Sequence, residues 1–259
     1  MILTTFASSS SGNCALVEGG GARILQDAGI SYRRIKAALA SRALTFEDVD
    51  GIVITHEHSD HIAALPMLCR HTDIPVYAPS AICHALIRTV VDIEDRLRTI
   101  TPGAPFPIRE LTVTAFPTPH DTPQSVGYRY DCGEALGFCT DTGCITEDML
   151  SSLRGAPLAV IEANHDIEML RAGSYPFALK RRILSDHGHL SNADCARLAC
   201  DLAENGAKCI VLAHLSRENN LPATAYRTVR AALDEGGFPE VSLHVAPADG
   251  ALTVEVPEC

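Results

Sequence analysis

The chain has no Cys-x-x-Cys pair, no apolar run long enough to cross a membrane, no basic leader and no excess of positive charge. Each absence removes a class of protein. The ten cysteines are scattered at positions 14, 69, 83, 132, 139, 144, 195, 200, 209 and 259 of a 259-residue chain, unlike the dense framework of a small disulfide scaffold. Cys195 and Cys200 fall in a helical pattern, and Cys139 and Cys209 in apolar strand-like runs, so they read as small buried hydrophobes. No stretch reaches the roughly 18–20 apolar residues of a spanning helix. The segment "MILTTFASSSSGNC" has neither a basic n-region nor a long apolar h-region, so no secretory signal is expected. A soluble, cytoplasmic protein without a membrane partner is the expectation; oligomeric state is not legible.

Net charge is −11, from 21 Lys and Arg against 32 Asp and Glu. This counts against a broad basic surface for nucleic acid. It leaves a phosphate substrate open, because bound metal ions can dominate the field inside a cleft. There is no low-complexity linker and no internal repeat. Residues 1–259 are expected to form one domain.

What is present is a chain of short apolar runs separated by turns and helical patterns. "MILTTFA", "CALVEG" and "ARILQDAG" read as strands, and "SYRRIKAALASR" as a helix capped by Ser31. "GIVIT" is a buried strand leading into "HEHSDH", followed by a helix over "HIAALPMLCRH" that Pro66 bends or shortens. "IPVYAP" is a strand and "SAICHALIRTVV" a Ser-capped helix. "LTVTAFPTPHD", "SVGYRYDCG" and "EALGFCTDTG" form a three-strand meander. "ITEDMLSSL" is a helix with Thr146 at its N-cap, and "PLAVIEANHD" a strand. The helix "SNADCARLACDLAENG", the strand "AKCIVLAHLS", the helix "PATAYRTVRAALDEGG" and the strands "EVSLHVAP" and "ALTVEVPEC" complete the chain. Two strand-rich halves, each followed by helices, predict an α/β protein with two packed sheets and helices outside.

Polar groups collect where the apolar runs end: Asp27, then His56, His58, Asp60 and His61, then His120, Asp141 and His214. A sheet delivers such residues to a common edge. His56 and His58 are two apart, so an extended segment directs both imidazoles the same way. Asp60 and His61 come where the chain turns into a helix, so one segment can serve two neighbouring metals. Imidazole and carboxylate suit zinc, and the mixed set also admits manganese or iron. Singly, the residues have plainer readings. Asp60 caps a helix, Asp141 occupies an Asp-Thr-Gly turn, and His120 is a turn histidine. Five such groups in order outweigh those readings. His71, His84 and His244 stand alone and are read as ordinary side chains.

"LQDAG", "THEHSDH", "PTPHD", "TDTG" and "LAHLS" together resemble the metallo-β-lactamase superfamily. The resemblance implies an αββα sandwich of two mixed sheets with helices on both outer faces, and a site for two divalent metal ions, Zn²⁺ or Mn²⁺, with iron admissible. It implies that His56, His58 and His120 hold one metal, that Asp60, His61 and His214 hold the other, and that Asp141 bridges them. Asp27 would orient the ligand loop through hydrogen bonds. "SSGNC", "EANHD", "GHLSN" and "LAHLSRENN" narrow the resemblance to the YycJ/WalJ-type branch of small bacterial enzymes. That branch implies 5′→3′ exonuclease activity on DNA, with a link to DNA repair. The span between Asp141 and His214 is too short for a large inserted nuclease domain.

In "SDHGHLSN", His187 and His189 are surplus to the seven ligands. Phosphodiesterases of the superfamily commonly place a non-ligand histidine before a small polar residue and a helix, and His189 has that form. There it contacts the scissile phosphate or assists the leaving group, help typically worth about 10²–10⁴-fold. His187 either supports the loop or meets substrate. His165 either lines the cleft or bonds to a ligand, while Glu162 and Asn164 read as supports of their loop. "SSSSGNC" is a flexible polar turn or, with Ser11 and Asn13, a set of donors for a terminal phosphate. Lys180, Arg181 and Arg182 form the one dense basic cluster; with Arg217 they are either a solvated face or a contact for a nucleic-acid backbone.

The expected function is a dinuclear metal-dependent phosphodiesterase acting as a 5′→3′ DNA exonuclease. A metal-bridging hydroxide attacks phosphorus, Asp60 orients it and His189 assists the departing oxygen. RNA and small cyclic phosphodiesters are alternative substrates, and a thioester or lactone hydrolase is the rival reaction class.

Overall fold

The structure, a computed structural model, describes residues 1–257. Cys259 lies outside the described residues. Fourteen strands form two seven-stranded sheets. In the first, β1 (Ile2–Ala7), β2 (Cys14–Gly19) and β3 (Ala22–Gln26) run antiparallel, with β14 (Leu252–Glu255) on the outer side of β1. From β3 the sheet continues in parallel through β4 (Gly51–Val53), β5 (Val76–Pro79) and β6 (Leu97–Ile100).

The second sheet repeats this plan. β7 (Phe106–Ile108), β8 (Leu111–Pro117), β9 (Val126–Asp131) and β10 (Ala135–Cys139) are antiparallel. β11 (Leu158–Glu162), β12 (Cys209–Ala213) and β13 (Ser242–Val245) then follow in parallel.

Burial explains the layering. Every residue of β11 and β12 is buried, as expected of a parallel strand covered on both faces. Leu158 and Val160 of β11, with Cys209, Val211 and Ala213 of β12, face the first sheet in one core that includes Leu16, Leu25 and Ile52. The alternate residues Ala159, Ile161, Ile210 and Leu212 face α5 (Glu147–Leu153), α8 (Asn192–Glu204) and α9 (Pro222–Glu235). Helices α1 (Tyr32–Ser41), α3 (Leu65–His71) and α4 (Ser80–Thr89) cover the first sheet through Ile35, Leu39, Leu65, Leu68, Ile82 and Leu86. The result is the expected αββα sandwich. Two buried tyrosines tie the sheets together: Tyr128 donates to the Ile54 carbonyl at 2.8 Å and Tyr130 to Gln26 Oε1 at 2.5 Å.

Several local expectations hold at the atomic level. Ser31 and Thr146 cap α1 and α5, accepting from the backbone N–H of Arg34 and Met149; Ser191, read as part of its helix, instead caps α8 by accepting from Asp194 N. Others need correction. The helix expected over 61–71 is two pieces, α2 (Ser59–Ile62) and α3, and Pro66 sits in the first turn of α3, where its missing N–H costs nothing. Ser80 does not cap α4, because it is already helical and Pro79 precedes it without a side-chain bond. The edge strand β6 carries exposed Arg98 and Thr99 and gives no apolar alternation to read. The short helices α6 (Ile167–Ala172) and α7 (Phe177–Ile183), separated by a Gly-Ser-Tyr-Pro break, were also not expected. The nine described cysteines are free, six of them buried and three half-buried. Among the described residues no helix is long and apolar enough to cross a membrane.

Candidate metal centre

Strands β3 and β4 are parallel neighbours, so both release the chain at the same edge of the first sheet. Asp27 follows β3, and the segment from Thr55 to His61 follows β4. In the second sheet β8, β10, β11 and β12 all point to one edge. Beyond their ends stand His120, Asp141, Asn164 and His214. Three of these turning points have left-handed backbone at residues other than glycine: Asp27 (φ 59°), Asp141 (φ 58°) and His214 (φ 57°). Such a backbone costs on the order of 1 kcal/mol each and is retained where the surroundings fix it, commonly at functional sites. At Gly29 the requirement is space, since a Cβ there would lie 1.6 Å from the Asp60 carbonyl oxygen. Glycine lets the loop after β3 pass directly against the ligand segment.

These elements bring all seven expected metal ligands together. Donor atoms of His56, His58 and His120 lie within 4.8 Å of one another, as do those of Asp60, His61 and His214. Asp141 stands between the two groups. Its Oδ1 is 3.4 Å from His214 Nε2 and 3.9 Å from His120 Nε2, and its Oδ2 is 3.4 Å from His61 Nε2. Asp60 does not cap α2; its Oδ2 faces His61 Nε2 at 3.4 Å and His214 Nε2 at 3.5 Å.

The imidazoles are held from behind. His61 Nδ1 donates to Asp27 Oδ2 at 2.9 Å, in agreement with the orienting role expected of Asp27. Thr55 donates its hydroxyl to Asp27 and accepts from His56 Nδ1 at 3.1 Å. His120 Nδ1 donates to the Gly188 carbonyl at 3.0 Å, and His214 Nδ1 donates to Glu162 Oε1 at 2.9 Å. With Nδ1 occupied, each ring presents Nε2 to the centre. The Nε2 atoms of His56, His120 and His214 and Oδ2 of Asp141 are buried with no hydrogen-bond partner among the described residues. Burying such atoms unpaired costs about 1–3 kcal/mol each. A convergent set of unpaired nitrogen and carboxylate donors fits divalent metal ions.

The local field has the same sense. Burial opposes charge on His61, but Asp141, Asp27 and Asp60 outweigh it and hold its pKa well above the imidazole range. His214 is raised to about 10, because Asp141, Asp60 and Glu162 overcome its burial. Burial would raise Glu162, yet His189 and His214 bring it down to about 2. Burial would raise Asp60 and Asp141 as well, yet His214 and His61 hold both below the carboxylate range, so ionised carboxylates stand where cations would sit.

Glu162 and Thr55 bond to the candidate ligand histidines, contacts that the sequence did not show. Glu162 is fully buried and accepts from His189 Nδ1 at 2.8 Å, His214 Nδ1 at 2.9 Å, Thr142 N at 2.9 Å and Leu190 N at 3.2 Å. It therefore links the "GHLSN" loop to a ligand histidine rather than only supporting its own loop. Its one signal was its place at the end of an all-buried strand. His189 lies between His120 and His214, at ring-centroid distances of 5.0 and 5.3 Å. Its Nδ1 is 3.8 Å from Asp141 Oδ1.

The residues expected to meet substrate are distributed less simply. Asn13 is buried behind the ligands, its amide donating to the Ser9 carbonyl at 2.9 Å and approaching Asp60 Oδ2 at 3.4 Å. Ser8 Oγ accepts from His214 N at 2.8 Å, so this loop braces both halves of the site. Ser11 is exposed at its tip and His187 is exposed in its own loop. His165 is buried, with neither ring nitrogen partnered among the described residues, and burial lowers its pKa to about 4. Asn164 donates to the His214 carbonyl at 3.0 Å. The Arg217 guanidinium is tied to Asp249, which also accepts from Arg34.

The fold and this donor set define a metallo-β-lactamase-type protein. The family described as the beta-lactamase superfamily domain matches residues 22–215. The chain is 38% identical over 237 residues to exodeoxyribonuclease YycJ of Bacillus anthracis, covering 91% of this chain and 90% of that protein. It is 37% identical to exodeoxyribonuclease WalJ of Streptococcus pneumoniae, covering 86% and 84%. The zinc-bound PqqB of Methylobacterium extorquens shares the fold, with a TM-score of 0.75 at 19% identity over 98% of this chain and all of that one. The chain belongs to the β-lactamase superfamily, in the family of the YycJ and WalJ proteins.

Proposed function

We propose that this chain is a metal-dependent phosphodiesterase that removes nucleotides from DNA in the 5′→3′ direction, acting as a single cytoplasmic domain with DNA repair as its setting. The observation that carries the reading is the convergence of seven His and Asp donors, of which His56, His120 and His214 Nε2 and Asp141 Oδ2 are buried without a hydrogen-bond partner. The names of the YycJ and WalJ relatives supply the substrate class. His56, His58 and His120 would hold one divalent ion, Asp60, His61 and His214 the second, and Asp141 would serve both. Zinc and manganese suit this set, and iron is admissible. Bound there, such ions supply Lewis acidity toward the phosphate oxygens and activate water.

The chain's own groups do the rest. Asp60, 21% exposed, reaches the centre from the open side and orients the attacking water. His189 Nδ1 donates to Glu162 Oε1, which leaves Nε2 for the departing oxygen; the doubly protonated ring, its charge balanced by the Glu162 carboxylate, passes the Nε2 proton and becomes neutral. Glu162 fixes the orientation of that ring and steadies His214 with the same carboxylate. His189 also lies within 4.8 Å of donor atoms of Asp141, Glu162 and His214, which is ligand-like spacing. Metal content separates the two roles: His189→Ala keeps its metal if the histidine handles protons and loses it if the histidine is a ligand.

The test is a panel in which the purified protein, with Mn²⁺ or Zn²⁺, meets 5′- and 3′-labelled duplex DNA, RNA, a cyclic nucleotide, bis-p-nitrophenyl phosphate and a thioester. Mononucleotides released progressively from the 5′ end are expected. Turnover of the thioester without any phosphodiester would overturn the reading.

A further inference from the structure

Beside the centre, the basic cluster noted in the sequence is the short helix α7. Its placement is fixed by the metal site itself. His189 N donates to the Ile183 carbonyl at 3.0 Å, and the Gly188 carbonyl next to it accepts from His120. Gly188 packs so tightly on the end of α7 that a Cβ there would lie 2.2 Å from the Ile183 oxygen and 2.3 Å from the Arg182 oxygen. Ile183 is buried, and Lys180 Nζ donates to the Arg171 and Gly173 carbonyls at 2.7 and 2.6 Å. Lys180 is therefore a strut, and the helix is anchored at the rim.

α7 offers an aromatic ring to solvent. Phe177 is 76% exposed, against 40% for Tyr226. Arg181, one helical turn along, has its guanidinium carbon 6.0 Å from the Phe177 ring centroid. Arg182 is ion-paired with Asp121, whose Oδ1 lies 3.3 Å from His120 Nε2 and 3.9 Å from His58 Nε2. Phe177 and Arg181 thus share a short helix with Arg182, which leads through Asp121 to the first group of donors, on a chain of net charge −11. A single exposed phenylalanine needs no explanation by itself. Joined to Arg181 and to Arg182, which is tied through Asp121 to the donor group, it has the composition of a single-strand platform, where bases stack on a ring and phosphates meet arginines.

We propose that α7 carries the DNA strand into the metal centre, with Phe177 stacking on a base and Arg181 and Arg182 meeting the neighbouring phosphates. The proposal rests on reading the chain as a nuclease. Arg182 is at present balanced by Asp121, and an incoming phosphate would compete for the same guanidinium. The platform tolerates any base, because every base has a π-face.

The experiment compares wild type with Phe177→Ala, Phe177→Trp and the double change Arg181→Gln, Arg182→Gln. The quantity read is the ratio of kcat/KM for a long single-stranded oligonucleotide to kcat/KM for bis-p-nitrophenyl phosphate, which is too short to span α7. Phe177→Ala should lower this ratio by about 5–100-fold, chiefly through KM, and Phe177→Trp should restore it. Anisotropy of a fluorescein-labelled strand, read on the metal-free protein, should show the same order of affinities. The arginine pair should flatten the salt dependence of binding by about 0.7 in log–log slope per lost contact. An unchanged ratio and unchanged affinity in Phe177→Ala, with the wild type cleaving DNA, would overturn the platform alone. A wild type that cleaves bis-p-nitrophenyl phosphate but no DNA would overturn the nuclease reading, and the platform with it.

Discussion

The two sheets are built on one plan, antiparallel strands passing into parallel ones, yet they hand over their functional groups differently. The first sheet delivers four of the proposed ligands in six residues, His56 to His61, with Asp27 and Thr55 bonded to the rings of His61 and His56. The second delivers His120, Asp141 and His214 one at a time, from the ends of three strands far apart in sequence, with Glu162 and the Gly188 carbonyl behind them. The first half is a motif and the second is an assembly. A motif works because its backbone is locally extended and then helical. An assembly works only once β8, β10, β11 and β12 are in register.

This contrast can be tested by pairing substitutions across it. The largest effects should come from His58→Ala in the first half and His120→Ala in the second, which belong to one ligand group. Both should lose on the order of 10³-fold in kcat/KM for DNA, as lost charge stabilisation of several kcal/mol implies. A much milder His120→Ala would mean that the second half is accessory.

His189→Ala comes next, with kcat lowered about 10²–10⁴-fold on DNA. The loss should be smaller on bis-p-nitrophenyl phosphate, whose leaving group needs less protonation, and metal content by mass spectrometry should match wild type. The orienting residues form another matched pair, Thr55→Val and Glu162→Gln. Each should weaken metal affinity by about 10–100-fold in a chelator competition. Glu162→Gln should also lower kcat, because Glu162 holds His189 as well as His214. Thr55→Val touches no proton carrier and should not add that second effect. The smallest effect is structural: Ser191→Ala removes the cap of α8 and should cost about 1 kcal/mol in urea unfolding.

The same contrast explains what could be read from the chain alone. The dense motif and the single histidines at strand ends were legible because apolar runs mark the strands and polar residues mark where they stop. Two packed sheets with helices outside followed from that alternation, and the family resemblance implied the αββα sandwich. Glu162 was not legible as an orienting residue, since its partners His189 and His214 are 27 and 52 residues away and meet it only through sheet pairing. Asn13 looked like a free loop donor and is instead buried against Ser9 and Asp60. Arg217 looked available and is bound to Asp249. α7 was read as a basic cluster, but its attachment to His189 and Gly188 depends on a turn that no periodicity announces.

The central claim, that one motif and one assembly make a single two-metal centre, is tested most directly by the metal content of purified wild type and of Asp141→Asn after equilibration with Mn²⁺ or Zn²⁺. Asp141 faces both ligand groups. Two ions per chain in the wild type, with both weakened by Asp141→Asn, is the predicted result. A wild type holding a single ion, or an Asp141→Asn variant that keeps two at unchanged affinity, would contradict it.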